Sequence, residues 1–174
     1  TAYEIRNCDW SSDVCSSDLL PEFDIRIDFE VFDFVQINAR VNRRMVSAAI
    51  QLLEVDANDR VLDLFCGIGN FSLPLARKAK HVLGIDSEAH QVERAAANAG
   101  LNGIRNAEFR SVDLAALDGG ESWLAAGWDK ILLDPARSGA AAVAENVERT
   151  GAGRIAYVSC NPGTLAREIG RAHV

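Results

Sequence analysis

From residue 60 onward, short apolar segments alternate with segments of helical period, and this alternation constrains the fold more than any other feature. The apolar segments have the length of buried strands, and the intervening segments have the length of helices. Such alternation is typical of an α/β protein with a Rossmann-like, doubly wound parallel sheet. The predicted strands are residues 60–65, 81–86, 107–113, 130–134 and 154–160. The predicted helices are residues 42–55, 71–80, 87–99 and 140–150, with another beginning at Thr164.

Two flanking features complete the expected architecture. Residues 23–35 alternate apolar and charged side chains, which predicts a strand or hairpin half-buried on one face. Gly100 and Gly151 follow two predicted helices and are expected to end them as left-handed caps. We therefore expect residues 20–40 to lead, as a strand or hairpin, into an α/β domain of residues 41–167 that stops after its fifth strand.

The composition is that of one globular domain. The 174 residues are 48% hydrophobic and 25% charged, and no apolar run approaches the ~18 residues that a membrane span needs. The formal net charge of −7 at pH 7 does not by itself suggest an electrostatic binder of nucleic acid. The four cysteines are too few for a disulfide scaffold, and their spacing fits no zinc site.

Both ends of the chain are interpreted as foreign to the protein. Residues 9–19 are low in complexity and predict no helix or strand. Part of this stretch and residues 168–174 back-translate into nucleotide stretches that are reverse complements of each other, which is typical of a sequencing-library adapter. We therefore interpret residues 1–19 and 168–174 as adapter-derived and the remainder as a fragment. That leaves Cys66 and Cys160, and two isolated cysteines favour a reducing, cytoplasmic compartment.

The first chemical signal is a pair of glycines directly after the first predicted strand. Gly67 and Gly69 stand where a turn lets the backbone approach a ligand at the start of a helix. Asp86 ends the second strand about 20 residues later, the usual place of a carboxylate that binds a ribose diol. Ser72 stands where a dinucleotide fingerprint has its third glycine. These residues predict a nucleoside-cofactor site without separating NAD from S-adenosylmethionine, whereas the glycines alone also fit a plain tight turn.

Three further polar residues end later strands of the predicted sheet. Asp113 ends the third strand, Asp134 precedes a proline after the fourth, and Cys160 lies in Ser-Cys-Asn-Pro after the fifth. At this edge Asp113 could accept from an adenine amino group, and Asp134 is expected beside the reactive end of a cofactor. A surface aspartate and a plain Asp-Pro turn are the respective alternatives. Cys160 is a candidate nucleophile or a buried small residue, whereas Cys66 in the glycine turn is interpreted as structural.

With these residues assembled, the chain resembles the RNA uracil-C5 methyltransferase family, whose members use S-adenosylmethionine. The resemblance runs from residue 32 to residue 167. It rests on four motifs in order: Phe34-Val-Gln-Ile-Asn38, Asp63-Leu-Phe-Cys-Gly-Ile-Gly-Asn-Phe71, Leu133-Asp-Pro-Ala-Arg-Ser-Gly139 and Val158-Ser-Cys-Asn-Pro-Gly-Thr-Leu-Ala-Arg167. Asp-Pro-Ala-Arg is more similar to enzymes of bacterial 23S rRNA than to the tRNA branch, where Asp-Pro-Pro-Arg is usual. The resemblance implies a class I methyltransferase fold and an RNA partner, rRNA first and tRNA second, with no membrane or protein partner.

The resemblance also implies roles for particular residues. The positions that contact the cofactor match Gln36, Phe65, Gly67, Gly69, Asn70, Asp86, Asp113 and Asp134, and no metal is implied. Cys160 matches the nucleophile, whose thiolate adds to C6 of uracil, and Asp134 belongs with it to the catalytic set. C5 then attacks the cofactor's methyl group, a base removes the C5 proton, and elimination frees the cysteine. The target base must leave its stack to reach such a cleft.

Other parts of the family are expected outside this fragment. The base is a glutamate near the family's C-terminus, and an RNA-binding module precedes the domain, with iron–sulfur cysteines in some members. The unfinished sheet is expected to expose apolar surface. We expect the complete protein to methylate uridine and this chain by itself to bind the cofactor at most. The alternatives are an NAD-type oxidoreductase, which gives Ser-Cys-Asn-Pro no role, and a non-catalytic domain that binds a nucleoside or RNA.

Overall fold

The structure is a computed structural model that describes residues 16–30, 33 and 38–171. Its strands are β1 (Ser16–Leu20), β2 (Ile25–Phe29), β3 (Arg60–Leu64), β4 (His81–Asp86), β5 (Ala107–Ser111), β6 (Lys130–Leu133) and β7 (Arg154–Tyr157). Its α-helices are α1 (Ala39–Leu53), α2 (Ser72–Ala76), α3 (Ala89–Leu101), α4 (Ala141–Asn146) and α5 (Pro162–Arg171). Short 3-10 turns span Pro21–Phe23 and Val147–Thr150. Each predicted strand and helix has a counterpart with shifted bounds among the described residues, whereas residues 31, 32, 34 and 35 of the predicted strand 23–35 lie outside them.

The strands β3 to β7 form one parallel sheet in the order β5-β4-β3-β6-β7. The chain proceeds outward from β3 to β5 and then crosses to the other side of β3 with β6. Val61 of β3 accordingly lies between Val82 of β4 and Lys130 of β6. The reversal between β3 and β6 is a topological switch point, where such sheets bind ligands at the carboxyl ends of their strands. The predicted Rossmann-like, doubly wound α/β fold is confirmed.

Side chains of the sheet alternate between two hydrophobic cores, one on each face. Val61 packs in the core that includes α1 and α2, whereas Leu62 packs in the opposite core with Trp128 and α4. Because both faces are covered, the central strands read as continuous apolar segments. At the β7 edge Ile155 stays 43% exposed, in keeping with the expected apolar surface there.

An antiparallel hairpin of β1 and β2 precedes the sheet. Ile25 and Ile27 of β2 are buried, as the period of two predicts. Asn98 of α3 and Asn102, the residue that follows α3, bind the backbone of β2 as a neighbouring strand would. The Asn102 side chain pairs with the N–H and C=O of Arg26 at 2.8 and 2.7 Å, and Asn98 pairs with those of Asp28 at 2.9 and 3.1 Å.

The structure differs from expectation near both chain ends. The prediction that residues 9–19 hold no element is wrong from Ser16 onward, because cross-strand pairing with β2 forms β1 without a side-chain period of its own. Glu168, in the segment interpreted as foreign, lies in α5 and is 1% exposed. Its Oε2 accepts from the Tyr157 hydroxyl at 2.6 Å and from the Ala140 N–H at 2.9 Å. An adapter origin for either end stays a prediction, because packing does not bear on where a sequence came from.

One predicted helix cap is wrong and another is confirmed. Gly100 lies inside α3, and Gly103, with φ +66°, takes the left-handed position. The Asn102 side chain donates to the Asn98 carbonyl at 2.7 Å and so continues the helix past Gly100. Gly151, with φ +73°, ends the segment after α4 as predicted.

Candidate cofactor and catalytic site

The turn after β3 has a backbone that most side chains do not allow. Phe65, Gly67 and Gly69 have φ values of +65°, +51° and +96°. A Cβ at Gly69 would lie 3.1 Å from Cγ of Leu73, so this position favours glycine for both conformation and space. The N–H of Phe65 donates to the Ile85 carbonyl at 2.8 Å and fastens the turn to β4. The turn therefore forms a backbone cradle at the carboxyl edge of the sheet.

Asp86, at the end of β4, reaches this cradle directly. Its Oδ2 accepts from the Gly67 N–H at 2.9 Å, and its Oδ1 accepts from the Glu88 N–H at 3.1 Å. Backbone donors thus fix the carboxylate while the side chain stays half-buried. The glycine turn and the acidic residue are in contact, as predicted. That Asp86 binds a ribose diol stays a prediction.

Asn70 ends the turn and is paired with an asparagine that the sequence did not single out. The Asn42 and Asn70 side chains exchange two amide hydrogen bonds, each of 2.9 Å. Asn42 lies on α1 and is buried. Asn38 caps that helix by accepting from the Val41 N–H at 3.1 Å. The pair therefore ties α1 to the cradle.

Asp63 of β3 precedes the cradle in the chain; the sequence places it in a family motif but assigns it no role. It is fully buried, and its Oδ2 accepts from the hydroxyl of Ser72 at the start of α2. Burial above all, with the nearby charges of Asp134 and Asp86, raises the pKa of Asp63 to about 8. Burial likewise raises the pKa of Asp134 to about 6. Three carboxyl groups thus gather at the ends of β3, β4 and β6.

The loop after β7 carries Cys160 and is tied to the loop that carries Asp134. The Asn161 side chain donates to the Arg137 carbonyl at 3.5 Å and accepts from the Gly163 N–H at 3.1 Å at the start of α5. At the loop's start, the Val158 N–H donates to the Leu133 carbonyl at 2.8 Å. Hydrogen bonds therefore link the loop of Cys160 to the loop of Asp134.

The two described cysteines have opposite environments. Cys160 is exposed, whereas Cys66 is buried inside the glycine turn. Burial, with the charges of Asp63 and Asp86, raises the pKa of the Cys66 thiol well above its ordinary value. Since the thiolate is the nucleophile, Cys160 is the cysteine suited to react, and Cys66 fits the structural role predicted for it.

Two further predicted site residues have different outcomes. Asp113 lies just after β5. The N–H of its neighbour Val112 donates to the Asp86 carbonyl at 2.9 Å, so Asp113 lies at the same edge of the sheet as Asp86. It is exposed, and its Oδ1 accepts from the Ala115 N–H at 3.0 Å. Gln36 lies outside the described residues. Within the described ranges, no group of three His, Cys, Asp or Glu side chains could hold a metal, and no helix could span a membrane.

The fold has counterparts among solved structures. The Pyrococcus abyssi tRNA (uracil-54, C5)-methyltransferase in complex with S-adenosyl-L-homocysteine matches with a TM-score of 0.79 at 27% identity, over 94% of this chain and 39% of that one. Trm5b from Pyrococcus abyssi matches with a TM-score of 0.60 at 18% identity, over 86% of this chain and 43% of that one. The parallel sheet with its glycine turn is therefore the fold of a class I methyltransferase.

Sequence comparison narrows this class to a family. The profile of the tRNA (Uracil-5-)-methyltransferase family matches residues 22–119. The chain belongs to this family. The family membership that its four motifs predict is therefore confirmed.

Two curated relatives are 23S rRNA (uracil(1939)-C(5))-methyltransferases named RlmD. The protein of Vibrio parahaemolyticus is 50% identical over 147 residues, which make up 84% of this chain and 34% of that protein. The protein of Xanthomonas euvesicatoria is 47% identical over 161 residues, which make up 92% of this chain and 36% of that protein. The chain thus spans about a third of the length of these relatives.

Proposed function

We propose that this chain is the S-adenosylmethionine-binding part of an RNA methyltransferase that, as a complete protein, methylates C5 of a uridine. The observation that carries the proposal is the assembly at one sheet edge of the Gly67–Asp86 hydrogen bond and the linked loops of Asp134 and Cys160. Membership of the uracil-5-methyltransferase family supports it. The same membership disfavours the NAD-type oxidoreductase.

The residues at this edge fit the cofactor by charge. S-adenosylmethionine carries a sulfonium and an ammonium group, and the edge gathers the carboxyls of Asp63, Asp86 and Asp134. None of the three forms an ion pair with a Lys, Arg or His in the part of the chain that the structure describes, and Oδ1 of Asp63 is buried without a partner. When bound, the cofactor supplies an electrophilic methyl group. We assign its binding to Gln36, Phe65, Gly67, Gly69, Asn70, Asp86, Asp113 and Asp134.

We assign the nucleophile to Cys160. Its thiolate forms a bond to C6 of the uracil ring, and the ring's electron pair moves to C5. C5 then takes up the methyl group and loses its proton, and the C6–S bond breaks to restore the ring. Exposure of Cys160 allows a base that has left its stack to reach the sulfur. No described residue is assigned to removal of the C5 proton.

Ribosomal RNA is the proposed substrate class, with tRNA as the second candidate. The relatives at 47–50% identity are named for 23S rRNA, whereas the tRNA enzyme of known structure is 27% identical. An rRNA methyltransferase of bacteria acts in the cytoplasm, which is where we place the complete protein.

Ultraviolet cross-linking of methyl-labelled S-adenosylmethionine tests the proposal on this chain. We expect labelling that S-adenosylhomocysteine abolishes and NAD does not. Competition by NAD would favour the oxidoreductase, and absence of labelling in folded protein would contradict the proposal. For the complete protein, RNA containing 5-fluorouridine is expected to form an adduct that Cys160→Ser abolishes. Binding of that RNA without an adduct would favour a non-catalytic domain.

A further inference from the structure

Asp63 is a buried carboxyl group that belongs to the acidic edge but has been assigned neither a cofactor contact nor a catalytic step. It is 0% exposed and lies within β3, directly under the glycine turn. Its Oδ2 accepts from the Ser72 hydroxyl, and its Oδ1 has no hydrogen-bond partner. A buried polar atom without a partner costs free energy, so this oxygen calls for a ligand or a proton.

Among the residues that the structure describes, the charges that act on Asp63 are those of two carboxylates. Asp86 faces it from β4 and Asp134 from the loop after β6, while Ser72 of α2 and the Cys66 thiol are neutral neighbours. Desolvation and like charge both disfavour an ionised carboxyl in this place. Burial and these two charges raise the pKa of Asp63 to about 8, although the Ser72 hydrogen bond acts in the opposite direction.

We propose that Asp63 is a positioning residue that is neutral in the free protein and releases its proton when a cationic ligand enters between the strand ends. The O–H bond of the carboxyl breaks, the proton goes to solvent, and the ligand's positive charge takes its place beside the new carboxylate. The step involves no oxidation or reduction. Through the Ser72 hydrogen bond, the carboxylate couples the ligand's charge to the first residue of α2. This inference rests on the proposed function, because S-adenosylmethionine is the cation.

Calorimetric titration of S-adenosylmethionine into the full chain counts the protons released when two buffers of different ionisation enthalpy are compared, phosphate and Tris at pH 7, and Tris and CHES at pH 9. At pH 7 we expect close to one proton per bound cofactor, since Asp63 is then mostly protonated. At pH 9 the number falls close to zero, because the carboxyl has already ionised. Binding without buffer-dependent heat at pH 7 would overturn the inference and leave the proposed function standing. Absence of binding by folded protein would overturn both.

Two variants identify the group that releases the proton. Asp63→Asn keeps the size of the side chain and an oxygen acceptor for Ser72, and it is expected to bind more weakly and to release no proton. Glu108→Gln removes an exposed carboxyl on β5 and is expected to match the wild type. Equal release by wild type and Asp63→Asn would overturn the assignment. If Asp63→Asn does not fold, the carboxyl ¹³C shift of Asp63 decides, since it must titrate near pH 8 in the free protein and no longer do so with cofactor bound.

Discussion

The backbone N–H of Gly67, in the turn after β3, donates to Oδ2 of Asp86, the last residue of β4, at 2.9 Å. This bond holds the glycine turn after β3 against the carboxylate at the end of β4. Because both parts are already fixed, a nucleoside that binds between them spends little free energy on ordering the protein.

Replacing Gly69 with alanine is expected to destabilise the domain by about 1–3 kcal/mol, because a residue at φ +96° is strained and its Cβ meets Leu73. Gly100→Ala is the matched control. That position lies in α3 with nothing within 4 Å of a Cβ, so alanine there stabilises by about 0.5–1 kcal/mol. Urea unfolding measures both changes, and an equal response of the two variants would contradict the strain assigned to the turn.

The Asn42–Asn70 pair is expected to behave as one unit in a double-mutant cycle. Each change to alanine leaves the partner amide without its hydrogen bonds and costs about 1–2 kcal/mol. The double variant should therefore lose about 1 kcal/mol less than the sum of the two. Asn42 and Asn102 share no hydrogen-bond partner, so the losses of unfolding free energy in Asn42→Ala and Asn102→Ala should be additive. Additivity of Asn42 and Asn70 in unfolding free energies would contradict the pairing.

Cys160 is expected to react with iodoacetamide at least about tenfold faster than Cys66. Exposure favours the first thiol, whereas burial and a raised pKa protect the second. Peptide mapping by mass spectrometry resolves both from Cys8 and Cys15. Cys160→Ser should remove the fast modification and Cys66→Ser should leave it. Faster modification of Cys66 would show that the turn is open in solution.

The free energy of unfolding is expected to fall as the pH rises between about 4 and about 8. The pKa of Asp63 is about 8 in the folded protein against 3.8 for an unperturbed aspartate, so across this window the folded state holds a proton that the unfolded state has lost. Linkage then lowers stability by up to ~1.4 kcal/mol per pH unit for this group. The pKa of Asp134 is about 6, so this group also lowers the free energy of unfolding as the pH rises from about 4 to about 6.

Denaturant titrations at pH 5 and pH 7 check this dependence. The wild type should lose more stability between the two pH values than Asp63→Asn, which has no carboxyl to ionise at that position. Glu108→Gln should follow the wild type, because it removes an exposed carboxyl on β5. The same loss in wild type and Asp63→Asn would contradict a protonated Asp63.

The sheet and its strand ends could be predicted because their signals are local. Strand length, helical period and the turn around Gly67 each depend on residues that are adjacent in the sequence. The parallel topology then brings Asp86 to that turn. Asn42 could not be found in this way, since its role depends on contact with Asn70 across two elements. Asp63 stands in the motif of the glycine turn but was assigned no role, because its burial and its contact with Ser72 are not visible in the sequence.

The prediction that residues 9–19 form no helix or strand was wrong from Ser16 onward for a related reason. Residues 16–20 have no alternation of their own, and β1 exists because its backbone pairs with β2. The asparagines that pair with β2 are Asn98 of α3 and Asn102 just after that helix, and both are far from β2 in the sequence. Long-range pairing of backbone groups leaves no periodic signature in the segment that it orders.

Calorimetric titration of S-adenosylmethionine into wild type and Asp86→Ala tests the central claim most directly, namely that the Gly67–Asp86 edge binds the cofactor. Loss of a charge-assisted hydrogen bond costs about 1.5–3 kcal/mol, so Asp86→Ala should raise Kd at least about tenfold. Glu108→Ala should leave Kd unchanged, and circular dichroism confirms that each variant is folded. A folded wild type that does not bind, or an Asp86→Ala variant that binds as tightly as wild type, would contradict the account.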